Sequence, residues 1–193
     1  HPSFPARTIK EFIAHVKDRP GAIDYASSGN GSAQHLFTAM FLARAQLKMV
    51  HIPYKGSAPA TADLVGGQVK VAMPGLAAMM NHIREGRLRA LAVTGSTRSA
   101  LLPDVPTLEE SGFPGFSAYV WNGLLAPKGT PKPVLDRLHR ELLTAMKAPA
   151  VRAFMGQAAM DSLATTPAEF LAFLQEERER NARVIKDAGV RVD

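Results

Sequence analysis

The chain has 193 residues, 46% of them hydrophobic and 21% charged, with no cysteine. That length suits one full domain plus part of another, and the absence of thiols excludes disulfides, thiolate nucleophiles and Cys-ligated metals. The formal charge of +6 is spread out, since residues 1–120 carry 12 Lys or Arg against 8 Asp or Glu and residues 121–193 carry 11 against 9; this excludes the basic stripe of a nucleic-acid groove and leaves a mildly basic surface that attracts small anions.

No apolar run approaches the roughly 20 residues of a membrane-spanning helix. His1-Pro2-Ser3 contain neither an initiator Met nor a charged-then-apolar leader, so the chain reads as cut rather than begun. In chain order, four short β-prone runs recur: Ile23–Ala26, Met49–Ile52, Val69–Met73 and Ala90–Val93. Helical patterns lie between them. Ala33, Leu36, Phe37, Met40 and Phe41 follow the 3.6-residue period, a second helix fits Ser57 to Val65 before Gly66-Gly67, and a third fits Gly75 to Glu85 before Gly86. Strands alternating with helices over short loops predict an α/β fold with a mainly parallel sheet and helices on both faces.

From Ser99 the prolines and glycines of Leu102–Pro106 and Gly112–Phe116 make a connector in which Thr107–Glu110 fits one helical turn. Ser117–Trp121 reads as a strand and Ala126–Gly129 as a breaker. Thr130-Pro131 is expected to cap a helix whose apolar face is Val134, Leu138, Leu142 and Met146. Thr166-Pro-Ala-Glu169 is a capping box opening a last helix, with Phe170, Phe173, Leu174, Val184, Ile185 and Ala188 as its apolar stripe before Gly189. Nothing repeats internally beyond the β-α spacing.

Two turns carry the chemistry. Ser28, Gly29, Asn30, Gly31 and Ser32 join a predicted strand to a predicted helix, so glycine-freed backbone N–H groups can point outward while Ser32 caps the positive helix end. Tyr54, Lys55, Gly56, Ser57 and Ala58 repeat the arrangement after the next strand, with Ser57 as the expected cap. In open parallel sheets such turns lie together at the carboxyl ends of the strands, where ligands bind. The alternative is a pair of plain capped β-α turns, with Lys55 merely solvated. Three charge-assisted hydrogen bonds at about 1.5–3 kcal/mol each give about 5–9 kcal/mol gross. After the costs of association that is about millimolar affinity or weaker, so a useful receptor needs a second lobe.

Catalytic motifs are lacking: there is no G-x-S-x-G and no H-E-x-x-H, and Lys55-Gly56-Ser57 is not a phosphate-binding P-loop. Ser28, His35 and Asp63 have no spacing that requires a triad. His35 follows the glycine turn closely enough to touch an anion, or to pack. His15, His51, His82 and His139 read as structural or exposed, and no pair has metal-ligand spacing. Tyr119 and Trp121 read as cleft-lining or packed on a sheet, and Met73, Met79 and Met80 as core. No cofactor and no metal is expected.

Five segments, Tyr25-Ala-Ser-Ser-Gly-Asn-Gly-Ser32, His51-Ile-Pro-Tyr-Lys-Gly-Ser-Ala-Pro-Ala60, Leu88-Arg-Ala-Leu-Ala-Val-Thr94, Leu102-Pro-Asp-Val-Pro-Thr107 and Gly123-Leu-Leu-Ala-Pro127, closely resemble the substrate-binding proteins of tripartite tricarboxylate transporters, the Bug family. The resemblance runs in order over nearly the whole chain. It implies a periplasmic, two-lobed, type II periplasmic-binding-protein-like fold that closes on a small carboxylate, a di-/tricarboxylate or aromatic one, and delivers it to the membrane subunits of the transporter. Residues 1–118 would be lobe 2, and residues 119–193 the crossover strand and the C-terminal part of lobe 1, whose first half and leader would precede this chain. The contacts would come from Ser28, Asn30, Gly31, Ser32, His35, Gly56, Ser57 and Ala58. Where such proteins commonly carry an acidic or amide pair after the third strand, this chain has Pro74 and Gly75, which implies a ligand without an ammonium group. Without the rest of lobe 1 the helices of residues 121–193 would bare apolar faces, so self-association or docking onto lobe 2 is expected. Two other classes stay open: a ligand-sensing module for a membrane sensor kinase, and a hydrolase.

Overall fold

Thr8 opens the first helix, α1 (Ile9–Lys17): its hydroxyl accepts from the Glu11 N–H at 3.2 Å, while the Glu11 carboxylate accepts from the Arg7 N–H at 2.7 Å. Ile9, Phe12 and Val16 form the buried face. The sequence reading assigned no element here. The computed structural model describes residues 1–158, 160–187 and 189–190, in two compact units, His1–Val120 with Arg180–Asp193, and Trp121–Glu179.

In the first unit, β1 (Asp24–Ser27), α2 (Ala33–Ala45) and β2 (Val50–Pro53) form a βαβ unit, with the strands parallel and Tyr25 opposite His51. The third predicted strand is reduced to one parallel bridge, Ala72 against Ala26, with the Ala26 N–H donating to Val71 O at 2.9 Å. Pro74, which lacks an N–H, stands two residues after the bridge. The fourth shrinks likewise to a parallel bridge between Val93 and Thr107. Around β1 the order is therefore β2, β1, Ala72. Successive side chains of a strand face opposite ways, and two cores result. Tyr25 lies with Phe12, Val16, Phe37, Phe41 and Leu42 of α1 and α2; Ala26 lies with Ala60 and Leu64 of α3 (Ser57–Val65) and Met79 of α4 (Leu76–Arg84). Helices thus cover both faces.

Helix α2 is the centre of the unit, with His35 through Ala39, Phe41, Leu42 and Ala45 all buried, the pattern of a helix packed on most sides. Its Leu36 and Ala39 meet Val190, Val184 and Ile185. Met79 and Met80 are buried as expected. The predicted turn at Thr107 is closed reciprocally: the Thr107 N–H donates to Glu110 Oε2 and the Glu110 N–H to Thr107 Oγ1. Ser117–Trp121 is no strand, because its one ladder bond is from the Ala118 N–H to Thr94 O.

The second unit holds α5 (Lys132–Ala145), α6 (Pro149–Gln157) and the start of α7 (Pro167–Asp187). Pro131, not Thr130, takes the cap of α5, because the Thr130 hydroxyl turns back to donate to Pro127 O at 2.8 Å. Helix α6 has no counterpart among the predicted elements. The capping box at Thr166 forms, with the Glu169 N–H donating to Thr166 Oγ1 and the Thr166 N–H to the Glu169 carboxylate at 2.7 Å. Trp121 stands edge-on to Phe170 and Phe173 of the α7 stripe, at 5.9 and 5.4 Å between ring centroids, and its Nε1–H donates to the buried Glu177. Ala188, placed in the same stripe, lies outside the described residues. Val134 and Leu138 of α5 are 47% and 57% exposed.

Candidate functional site

The carboxyl ends of β1, β2 and the Ala72 bridge lie on one edge of the sheet, and each is followed by the N-terminus of a helix, α2, α3 and α4 respectively. The first two of the connecting turns are one piece. The Tyr54 N–H donates to Ser27 O at 3.0 Å and the Gly56 N–H to Ser28 O at 3.1 Å, so the β1–β2 ladder runs on past both strands. Gly29, at φ 137°, lies against Tyr54 O, which a Cβ there would approach to 3.3 Å.

The glycine turn uses its own donors. The Gly29 N–H donates to Ser27 Oγ at 3.2 Å, the Gly31 N–H to His35 Nδ1 at 3.2 Å, and the Ser32 N–H to Gly29 O at 3.2 Å. Those groups, and the Gly56 N–H, do not point outward as the glycine pattern suggested. They shape the frame instead. Ser32 does cap α2, accepting from the His35 N–H at 3.3 Å. Gly56, not Ser57, occupies the cap position of α3, because its φ of 112° puts the chain on course for the helix one residue before the serine. Ser57 is the first helical residue, and its side chain makes no capping bond. Among the described residues, the N–H groups of Ala33, Gln34, Ser57 and Ala58 take no hydrogen bond. They are the orphan donors of two adjacent helix starts, each end carrying about half a positive charge.

Lys55, Ser57 and Ala58 are exposed, Ser28, Gly31, Ser32 and Tyr54 half-buried, and Asn30 exposed. Pro74 and Gly75 follow the Ala72 bridge at the same edge, with Gly75 the cap residue of α4 and no side chain capping it. The Tyr54 hydroxyl donates to Asp63 Oδ2 at 2.8 Å, and burial, with the Asp63 bond, raises its pKa. Asp63 and His35 are thus engaged with Tyr54 and Gly31, and among the described residues no bond joins them to each other or to Ser28.

His35 is buried rather than open to the edge. Its ring stacks on that of His51 at 3.7 Å and 22°, and His51 stacks on Tyr25 at 5.0 Å. His51 Nε2 lies 2.6 Å from Ser27 Oγ. Burial lowers the pKa of His35; burial, then the charge of His35, takes that of His51 down to about 4. Both rings are therefore neutral at neutral pH. Sequence reasoning did not consider Ser27 and read His51 only as structural or exposed; the two are 24 residues apart and meet across the parallel pair of strands. Ser27 directly precedes the turn, and alternation from Tyr25 along β1 is the signal that marks it.

Tyr119 is exposed, and its hydroxyl accepts from the Ser96 N–H and donates to Ser96 Oγ.

A family model for the tripartite tricarboxylate transporter family receptor matches residues 1–190. Protein BugT of Bordetella pertussis is 38% identical over all 193 residues, which cover 59% of its length, so the chain spans little more than half of this relative. The solved structure of R. palustris Rpa4515 with adipate superposes with a TM-score of 0.88 at 29% identity, over 97% of this chain and 63% of that one. That of the periplasmic binding protein BugD gives 0.83 at 36% identity, over 98% and 64%. The architecture is accordingly the α/β, periplasmic-binding-protein-like one that the five sequence segments implied. With the family model spanning 190 residues, this chain belongs to the tripartite tricarboxylate transporter receptor family.

Proposed function

We propose that this chain is the carboxylate-capturing part of a periplasmic solute-binding protein, and that it binds one carboxylate of its ligand across the two joined turns. One observation carries the reading: two turns hydrogen-bonded to each other leave the N–H groups of Ala33, Gln34, Ser57 and Ala58 without partners among the described residues, at neighbouring helix starts. A carboxylate has the charge and the acceptor capacity that such donors need. Ser28, Asn30, Ser32 and the Ser57 hydroxyl would complete the contacts, with Gly29, Gly31, Gly56 and His35 framing them. Exposed Lys55 would steer the anion in. Rpa4515, a structural relative, is seen with adipate, a dicarboxylate.

Residues 1–118 would be the lobe bearing the turns, and residues 119–193 the crossover and part of a second lobe. Pro74 and Gly75, which bring no charge to the sheet edge, favour a ligand without an ammonium group. The bound acid would pass to membrane subunits of a tripartite transporter, without being chemically changed.

The test is an amide NMR titration of the chain with adipate, using adipamide as the uncharged control. Shifts at Gly29–Ser32 and Gly56–Ala58 with adipate alone are the expected result. Equal shifts with the amide, or none with the acid at tens of times the roughly millimolar dissociation constant expected of one carboxylate, would refute the reading.

A further inference from the structure

Both glycines that shape the first turn lean on side chains, and both side chains lean on His51. The Ser27 hydroxyl accepts from the Gly29 N–H at 3.2 Å and donates its one proton to Gly29 O at 3.0 Å. With that proton committed, the 2.6 Å contact to His51 needs Nε2–H of the imidazole as donor. On the other side, the Gly31 N–H is accepted by His35 Nδ1, so the proton of neutral His35 lies on Nε2. The His35 ring is then held face to face with His51 at 3.7 Å, with Tyr25 behind His51 at 5.0 Å. Gly29 at φ 137° and Gly31 at φ 70° are backbone states that local contacts must hold in place.

We propose that His51 is the positioning residue of the glycine turn, setting Gly29 through its Nε2–H bond to Ser27 and Gly31 through its ring stack on His35. It does not touch the ligand. The claim that this shapes binding rests on the proposed carboxylate site; the claim that His51 sets the two glycines does not.

Three substitutions in the full 193-residue chain separate the two arms. His51→Phe keeps a ring between Tyr25 and His35 but removes the donor. His51→Gln brings an amide N–H near the Nε2 position but removes the ring. His51→Ala removes both. Hydrogen exchange of the free chain is the first readout. His51→Phe is expected to speed exchange at Gly29 by about tenfold with Gly31 little changed, His51→Gln to do the reverse, and His51→Ala to speed both, each arm amounting to one lost anchoring contact. A role in general stability alone would move all amides of β1 and β2 together and would show no such split.

The second readout is adipate affinity, expected to fall at least fivefold in His51→Phe and His51→Gln and further in His51→Ala. Unchanged exchange at Gly29 and Gly31 in His51→Phe and His51→Gln would overturn the inference, whatever adipate does. Should the wild-type chain ignore adipate while the split in exchange appears, the carboxylate reading fails and the positioning role stands.

Discussion

Replacing Gly29 by alanine sets a methyl group against the joint between the two turns. The residue sits at φ 137°, where a side chain costs about 1–2 kcal/mol in backbone strain. The new Cβ would lie 3.3 Å from Tyr54 O. That oxygen cannot easily withdraw: the Tyr54 N–H is tied to Ser27 O, the Gly56 N–H to Ser28 O, and the Tyr54 hydroxyl to Asp63. Weakening one of those bonds adds about 1 kcal/mol. The sum, about 2–3 kcal/mol, lowers the melting temperature of a chain this size by about 5–10 °C. Urea and thermal unfolding followed by far-UV circular dichroism measure it. Gly75→Ala is the control, since Gly75 has φ −63° and no atom within 4 Å of an added Cβ. There the few tenths lost at a cap position are offset by about 0.4–1 kcal/mol from a stiffer unfolded chain. A Gly29→Ala variant within about 0.5 kcal/mol of wild type, or a Gly75→Ala variant equally damaged, would refute the reasoning.

Two further outcomes are expected. His51 is held at about 4 against 6.5 in the unfolded chain, so between those values the unfolded state binds a proton that the native state refuses, and stability is lost as pH falls from about 6.5 toward 4. The full shift would be worth about 3 kcal/mol; for a half-buried ring screened by solvent, about 1–2 kcal/mol remains. Urea midpoints at pH 7.5 and 4.5 should converge in His51→Phe relative to wild type; an unaltered difference would refute the assignment. In the second unit, a Cβ at Gly123 would run into the Phe170 ring, so Gly123→Ala should displace the cluster around Trp121, the sole tryptophan. A red-shifted emission is the expected sign, and an unchanged spectrum would mean that Phe170 yields without disturbing the indole.

The two β-α turns were legible because their signals are local: Gly29, Gly31 and Ser32 stand next to the elements they join, and Ser32 caps α2 as read. Helix α7 was legible for the same reason, its box closing between Thr166 and Glu169. What escaped depends on neighbours in space. Ser57 looked like a cap, but the φ of Gly56 hands the cap position to the glycine. The glycine N–H groups looked free because nothing local says that Gly31 bonds His35 or that Gly56 bonds Ser28. Thr130 looked like a cap until Pro127 took its hydroxyl. Helix α1 is the exception, since Thr8 and Glu11 three residues apart are a readable start signal.

The bonds from Tyr54 to Ser27 and from Gly56 to Ser28 also bear on how this site can change. Surface loops usually take insertions and deletions freely. Here a residue added to one turn would throw its partner out of alignment, so the lengths of the two must vary together or not at all. On the proposed carboxylate site, new ligand preferences would then be reached by exchanging side chains such as Asn30, Lys55 or Pro74 on a backbone of constant length, while the separation between the starts of α2 and α3 stays as it is.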